Sequence, residues 1–197
     1  MSRQPQKILI RGVNWIGDAV LTLPAIRSVR KAFPHARISL LVKPWVSDIF
    51  KESPDIDEII LYDDRFHGFA GKPGLAKILR RSKFDIAVLF QNAFDAALIS
   101  RLAGIPEIIG YKRDWRGFLL TKAIPVAKDS LKQHQVHYYL YLLRSAGIKT
   151  AETRPYIYLT DDERGHARDL LSSYFPDAGF PLIGINPGAA FGPAKRW

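Results

Sequence analysis

The 197-residue sequence contains no cysteine. A disulfide framework, a thiol nucleophile and a cysteine-ligated metal are thereby excluded. It also has no apolar run of about 18 residues, the length a membrane-crossing helix needs, so no such helix is expected. The opening MSRQPQK lacks the apolar middle and small-residue cleavage site of a secretory leader. From these absences the cytoplasm is the simplest expected compartment. Acid is scarce beside base: 19 Asp+Glu stand against 29 Lys+Arg, a net charge of +10. That excess calls for an anionic partner, and nucleic acid, a phosphorylated substrate and an acidic membrane surface all qualify. Neither an internal repeat nor a low-complexity segment interrupts the chain.

What is present is an alternation of strands and helices. KILIR at 7–11 reads as a buried strand, and 18–33 as a helix that Pro24 should kink or break. Strands follow at 37–42, 57–62 and 84–90, with a short helix at 46–52 between the first two. The segment 63–74, with its three glycines, reads as a loop before a short basic helix at 75–81. A helix at 94–103, strands at 105–111 and near 123–126, and a helix at 135–146 closed by Gly147 complete the pattern. Thr160 and Glu163 form a capping box for a helix at 161–174, and PLIGIN at 181–186 reads as another strand. This alternation predicts an α/β fold, a Rossmann-like doubly wound parallel sheet over residues 1–155. Residues 156–197 then read as a connector helix and the first strand of a second domain. One helix and one strand cannot enclose a core, so the sequence is expected to be part of a longer chain.

The stretch ILIRGVNWIGD at 8–18 carries the first chemical signal. Gly12 and Gly17 have the spacing of a phosphate-binding P-loop, but Asp18 and Ala19 stand where that loop needs lysine and a hydroxyl. The dinucleotide fingerprint G-x-G-x-x-G fails as well, because Val13 and Asn14 follow Gly12. What remains is a carboxylate just beyond the C-terminal end of the first strand, the edge where open parallel sheets bind ligands. Asp18 either serves the helix by capping it or meeting its dipole, or acts as a general base on a substrate hydroxyl.

Taken together, ILIRGVNWIGDAVLTLPAIRSVRKAFPHARISLLVKP and PGAAFGPAKRW resemble the ADP-heptose:lipopolysaccharide heptosyltransferases, glycosyltransferase family 9. The resemblance is nearest the branch that adds the second heptose of the inner core. It implies a GT-B architecture of two Rossmann-like domains, of which this chain supplies the N-terminal, acceptor-binding half. It implies an inverting single displacement from ADP-heptose, with no bound metal or other cofactor. By the same resemblance Asp18 is the catalytic base and Lys195 faces the donor diphosphate. Gly17, Gly188 and Ala189 fall with the donor-contacting turns. The donor domain is nearly all missing, so this chain alone is expected to be inactive.

Other candidates are cations and aromatics in loops. Arg65, His67 and Lys72 follow the third strand, and Lys112, Arg113 and Arg116 follow the fifth. With parallel strands both groups share an edge with Asp18, where Arg65, Lys112, Arg113 and Arg116 can meet acceptor phosphates; otherwise they are solvated surface. Asn14 and Trp15 are candidate acceptor contacts beside Asp18, although a loop tryptophan also packs on its own domain. Trp45 and Trp115 read as structural. His134 and His137 read as capping or packing, since no third ligand accompanies them. The tyrosines at 138, 139 and 141 read as core, and Asp161, Asp162 and Glu163 as partners of a helix dipole. The partners expected are ADP-heptose, an anionic inner-core lipopolysaccharide precursor and, peripherally, the inner membrane. Two alternatives remain open: a family-nine enzyme for another sugar, and a non-catalytic basic domain that binds nucleic acid. The second lacks a helix-turn-helix, zinc-finger or RNP-like signature.

Overall fold

A computed structural model describes residues 4–66, 68–126, 133–150, 153–176 and 181–185. Six parallel strands form one sheet in the order β3-β2-β1-β4-β5-β6. They are β1 (Lys7–Arg11), β2 (Arg37–Val42), β3 (Glu58–Leu61), β4 (Ile86–Leu89), β5 (Glu107–Tyr111) and β6 (Lys122–Ile124). Helices α1 (Ile16–Ala32), α2 (Pro44–Ser47), α3 (Gly68–Ser82), α4 (Phe94–Leu102) and α5 (Gln135–Ser145) connect or follow them. The predicted Rossmann-like doubly wound sheet is the one observed. Strand order reverses between β1 and β4, so a crevice opens there at the C-terminal edge.

Period-two alternation divides the core. Ile8 and Ile10 of β1 pack with Val29 of α1 and Leu142 of α5 on one face. Leu9 packs with Leu79 of α3 and Ile99 of α4 on the other. All three β1 side chains are fully buried, each stabilising the fold by about 2 kcal/mol. Tyr138 and Tyr139 are also buried in this core, packed on the first face. Tyr111 stacks on Tyr138 at 4.2 Å between ring centroids.

Two elements differ from the sequence pattern. Helix α1 runs through Pro24 rather than breaking there. A mid-helix proline costs about 3 kcal/mol in isolation, but Pro24 is buried, so core packing offsets the lost hydrogen bond. Helix α3 begins at Gly68, well before the expected Leu75. Gly71 is the reason this is possible. A Cβ there would fall 2.3 Å from the carbonyl carbon of Phe66, so only glycine lets the helix approach the preceding turn. Lys72 accordingly lies on a helix, not in a loop, while His67 falls outside the described residues.

The chain divides into two compact units, residues 1–158 and 159–197. In the second, α6 (Asp161–Tyr174) begins with the anticipated capping box. Thr160 Oγ1 accepts from the Glu163 N–H at 3.1 Å, and the Glu163 carboxylate accepts from the Thr160 N–H at 2.8 Å. The strand expected at 181–186 is not formed over its described residues 181–185, which pair with no described strand. A strand exists only through such pairing. Among the described residues no helix is long and apolar enough to cross a membrane.

Candidate active site

The turn after β1 is set by packing. A Cβ on Gly12 would meet Val42 Cγ1 at 2.5 Å, so this glycine exists to let β1 leave the sheet against β2. Gly17 has nothing within 4 Å of its equivalent position and faces open space. The helix N-cap is Trp15, whose side chain makes no capping bond. Asp18 is therefore the third residue of α1 rather than its cap. Its carboxylate is half-buried at the positive end of the helix. Across from it lies Tyr139 of α5. Burial, with the charge of Asp18 adding to it against a hydrogen bond from Gln135, pushes the Tyr139 phenol up to about 12.

The adjacent loops hold this turn in place. Asn14 Oδ1 accepts from the Arg11 guanidinium at 3.2 Å, and the Asn14 carbonyl accepts from the Trp45 indole at 2.8 Å. Trp15 is exposed at the mouth. Beneath it lies a cluster that the sequence did not single out: Arg11, Lys43, Tyr62 and Asp95. Arg11 is buried and its guanidinium also donates to the carbonyls of Gly12 (2.6 Å) and Leu41 (3.2 Å). It lies 5.0 Å from the Tyr62 ring centroid. Burial lowers Arg11 to about 10, with Asp95 and Tyr62 resisting. Lys43 is also buried, its ammonium 4.3 Å from the Tyr62 ring centroid. Burial first and Arg11 second lower its pKa, against Asp64, Asp95 and Asp63. Tyr62 donates to Asp95 at 3.2 Å, and burial together with that carboxylate pushes its phenol up to about 12. The available signal was the placement of Arg11 and Lys43 at the C-terminal ends of apolar strands, where a cation is out of pattern.

The remaining cations flank the crevice. Arg65 follows β3 and Lys112 and Arg113 follow β5, each two strands from β1, or roughly 10 Å to either side. Arg65 is exposed and pairs with Asp63 at 2.6 Å, which holds that carboxyl below its usual range. Lys112 and Arg113 are exposed. Arg116 differs from the expectation of a solvated phosphate contact: it is completely buried. Its guanidinium donates to the carbonyls of Tyr111 (3.1 Å) and Gln91 (2.5 Å) and to Asn92 Oδ1 (3.0 Å). The backbone at the end of β4 and β5 needed a donor more than solvent needed a cation. Gly188, Ala189 and Lys195 lie outside the described residues. His134 caps α5, accepting from the Val136 N–H at 3.4 Å.

Residues 74–197 match glycosyltransferase family 9 (heptosyltransferase). The chain belongs to this family. Among family-nine proteins it is 30% identical over 198 residues to lipopolysaccharide heptosyltransferase 2 of Salmonella typhimurium, with 97% of this chain and 56% of the relative covered. It superimposes on the glycosyltransferase family 9 protein of Veillonella parvula with a TM-score of 0.82 and 25% identity, over 98% of this chain and 56% of that one. For E. coli ADP-heptose lps heptosyltransferase II the values are 0.76 and 26%, over 98% and 57%. The chain thus spans about half the length of the family-nine relatives it matches. Its sheet is the Rossmann-like half of a GT-B heptosyltransferase fold.

Proposed function

We propose that this chain is the acceptor-binding half of an inverting heptosyltransferase, which moves heptose from ADP-heptose to the inner core of lipopolysaccharide, the second heptose being the product position. The carrying observation is the placement of Asp18: half-buried, in the first turn of α1 at the sheet's switch point, directly after a loop fixed from both sides. Family membership and similarity to heptosyltransferase 2 support the substrate class.

In this reading Asp18 accepts the proton of the attacking acceptor hydroxyl as that oxygen bonds to the anomeric carbon and the bond to ADP breaks. A base so placed contributes roughly 10²–10⁴-fold in rate. Arg65, Lys112 and Arg113 are set to meet acceptor phosphates on either side, with Asn14 and Trp15 at the mouth. Gly17 leaves open space toward the donor. Gly188, Ala189 and Lys195 carry the remaining donor contacts in this proposal, with Lys195 stabilising the charge on departing ADP. Residues 1–155 serve the acceptor, and 156–197 begin the donor side. The acceptor being a glycolipid, contact with the inner membrane from the cytoplasm is peripheral and weakens with salt.

The test is a pair of titrations on this chain, one with delipidated inner-core oligosaccharide and one with ADP-heptose, together with transfer by the intact protein. Oligosaccharide binding here, and loss of transfer in Asp18→Asn with oligosaccharide affinity retained, support the reading. Binding of ADP-heptose alone, or an Asp18→Asn protein with undiminished turnover, overturns it.

A further inference from the structure

The loop after β5 inverts the usual placement of its residue types. Its arginine, Arg116, is completely buried, while Trp115 is 93% exposed and Phe118 76%. Holding large apolar side chains in water is unfavourable, and the loop does so with a fixed backbone. The Arg113 N–H donates to the Tyr111 carbonyl at 2.9 Å, Arg116 N–H to Arg113 at 3.1 Å, and Leu119 N–H to Arg116 at 3.0 Å. The Arg116 guanidinium anchors the loop to the ends of β4 and β5. Asp114 and Trp115 sit at φ +51° and +59°, the left-handed region that strains residues other than glycine. Strain and a buried cation are together spent on presenting an indole outward. Phe118 leans on exposed Phe94 of α4, 6.3 Å between centroids, and lengthens the crest. Lys112 and Arg113 are exposed at its base.

We propose that this crest is a membrane-docking surface: Trp115 and Phe118 enter the interfacial layer of an anionic bilayer, which holds Lys112 and Arg113 at the headgroup level where the acceptor's own phosphates lie. The observations favour a bilayer over other partners. Two large rings are exposed with cations beside them, the arrangement of interfacial anchors, and tryptophan partitions to that layer. The charges suit an anionic surface: Lys112 and Arg113 are exposed beside the rings, against the single acid Asp114, and the chain as a whole carries +10. The proposal rests on the reading of the acceptor as a membrane-borne glycolipid, and it names the surface that brings the protein to it.

The experiment measures binding of the intact protein to phosphatidylcholine vesicles with and without phosphatidylglycerol, free of any glycolipid, alongside heptose transfer to delipidated, water-soluble acceptor. Expected are binding that requires the anionic lipid and falls with salt, and a loss of about tenfold or more in Trp115→Ala/Phe118→Ala. Soluble-acceptor transfer and thermal stability of that variant should match the wild type. Acyl-chain bromination should quench wild-type fluorescence more than that of Trp115→Phe. Undiminished vesicle binding by the double alanine variant overturns the proposal. So does an equal loss of soluble-acceptor transfer, which would make the rings a saccharide contact. Failure of the wild type to transfer heptose at all would instead count against the proposed activity and leave the vesicle comparison readable.

Discussion

The indole N–H of Trp45 donates to the carbonyl of Asn14 across 2.8 Å, joining the short helix α2 to the loop that leads to Asp18. Arg11 grips Asn14 from below through its side-chain oxygen. The position of the proposed base is thus set by two neighbours before any ligand arrives. Trp45→Phe keeps the aromatic packing and removes the donor. Its expected cost is about 1 kcal/mol of stability and about tenfold in kcat through misplacement of the turn. Steady-state kinetics paired with denaturant unfolding would check it; unchanged kcat would show that the turn is positioned without this bond.

The two glycines of the same turn should behave oppositely. Gly12→Ala places a Cβ 2.5 Å from Val42 Cγ1, between packed strands, and should destabilise by about 1–3 kcal/mol with or without ligand. Gly17→Ala enters open space on the first turn of a helix and should stabilise by a few tenths of a kcal/mol to about 1. A Gly17→Ala protein that melts higher yet binds donor more weakly would locate the donor's approach at this residue. Thermal melts of both variants, with and without ADP-heptose, separate the two effects.

Much of the fold could be read from the sequence because the strands are continuous apolar runs that alternate with helices. FDIAVLF contains β4 for that reason, and the T-x-x-E pair fixed the start of α6. The early start of α3 could not be read, because glycine signals both a break and a close approach, and only the space around Gly71, where a Cβ would fall 2.3 Å from the Phe66 carbonyl carbon, distinguishes them. The same limit governs the cations. Sequence position put Lys112, Arg113 and Arg116 in one loop, but burial depends on where carbonyls lack donors, a property of the assembled edge of β4 and β5. Arg11 and Lys43 were hidden for a related reason: Arg11 ends β1 and Lys43 directly follows β2, and the Tyr62 ring and Asp95 charge that act on them come from distant parts of the chain.

The Tyr62 phenol makes a prediction in alkali. Its pKa stands at about 12 in the folded protein, against the ordinary 10, through burial and the Asp95 carboxylate. A raised acid binds its proton more tightly when folded. Its stabilising contribution is therefore full below pH 10 and lost as pH rises from 10 to about 12. Arg11, lowered to about 10, contributes in the opposite direction across the whole of that window, because the unfolded chain keeps its proton where the folded one has lost it. Tyr62→Phe should be about 1 kcal/mol less stable at neutral pH, and its stability should fall less steeply than the wild type's between pH 10 and 12. Urea unfolding across that range reads both values, and parallel curves would contradict the assignment.

Arg116 decides whether the exposed crest is a rigid display or a passing conformation. Its guanidinium satisfies the carbonyls of Tyr111 and Gln91 and the Asn92 side chain, which in turn donates to Tyr138 at 2.9 Å. Arg116→Met fills similar volume but leaves those acceptors without donors, and should cost about 3 kcal/mol. Arg116→Lys should recover little of this, since an ammonium cannot reproduce a planar fork that bonds three groups at once. In both variants amide exchange should quicken first at 112–119, ahead of the sheet, because the guanidinium is what ties that loop down. Retained protection at 112–119 in Arg116→Met would mean that the backbone bonds alone hold the left-handed residues Asp114 and Trp115, and that the buried arginine serves the ends of β4 and β5 rather than the loop it belongs to.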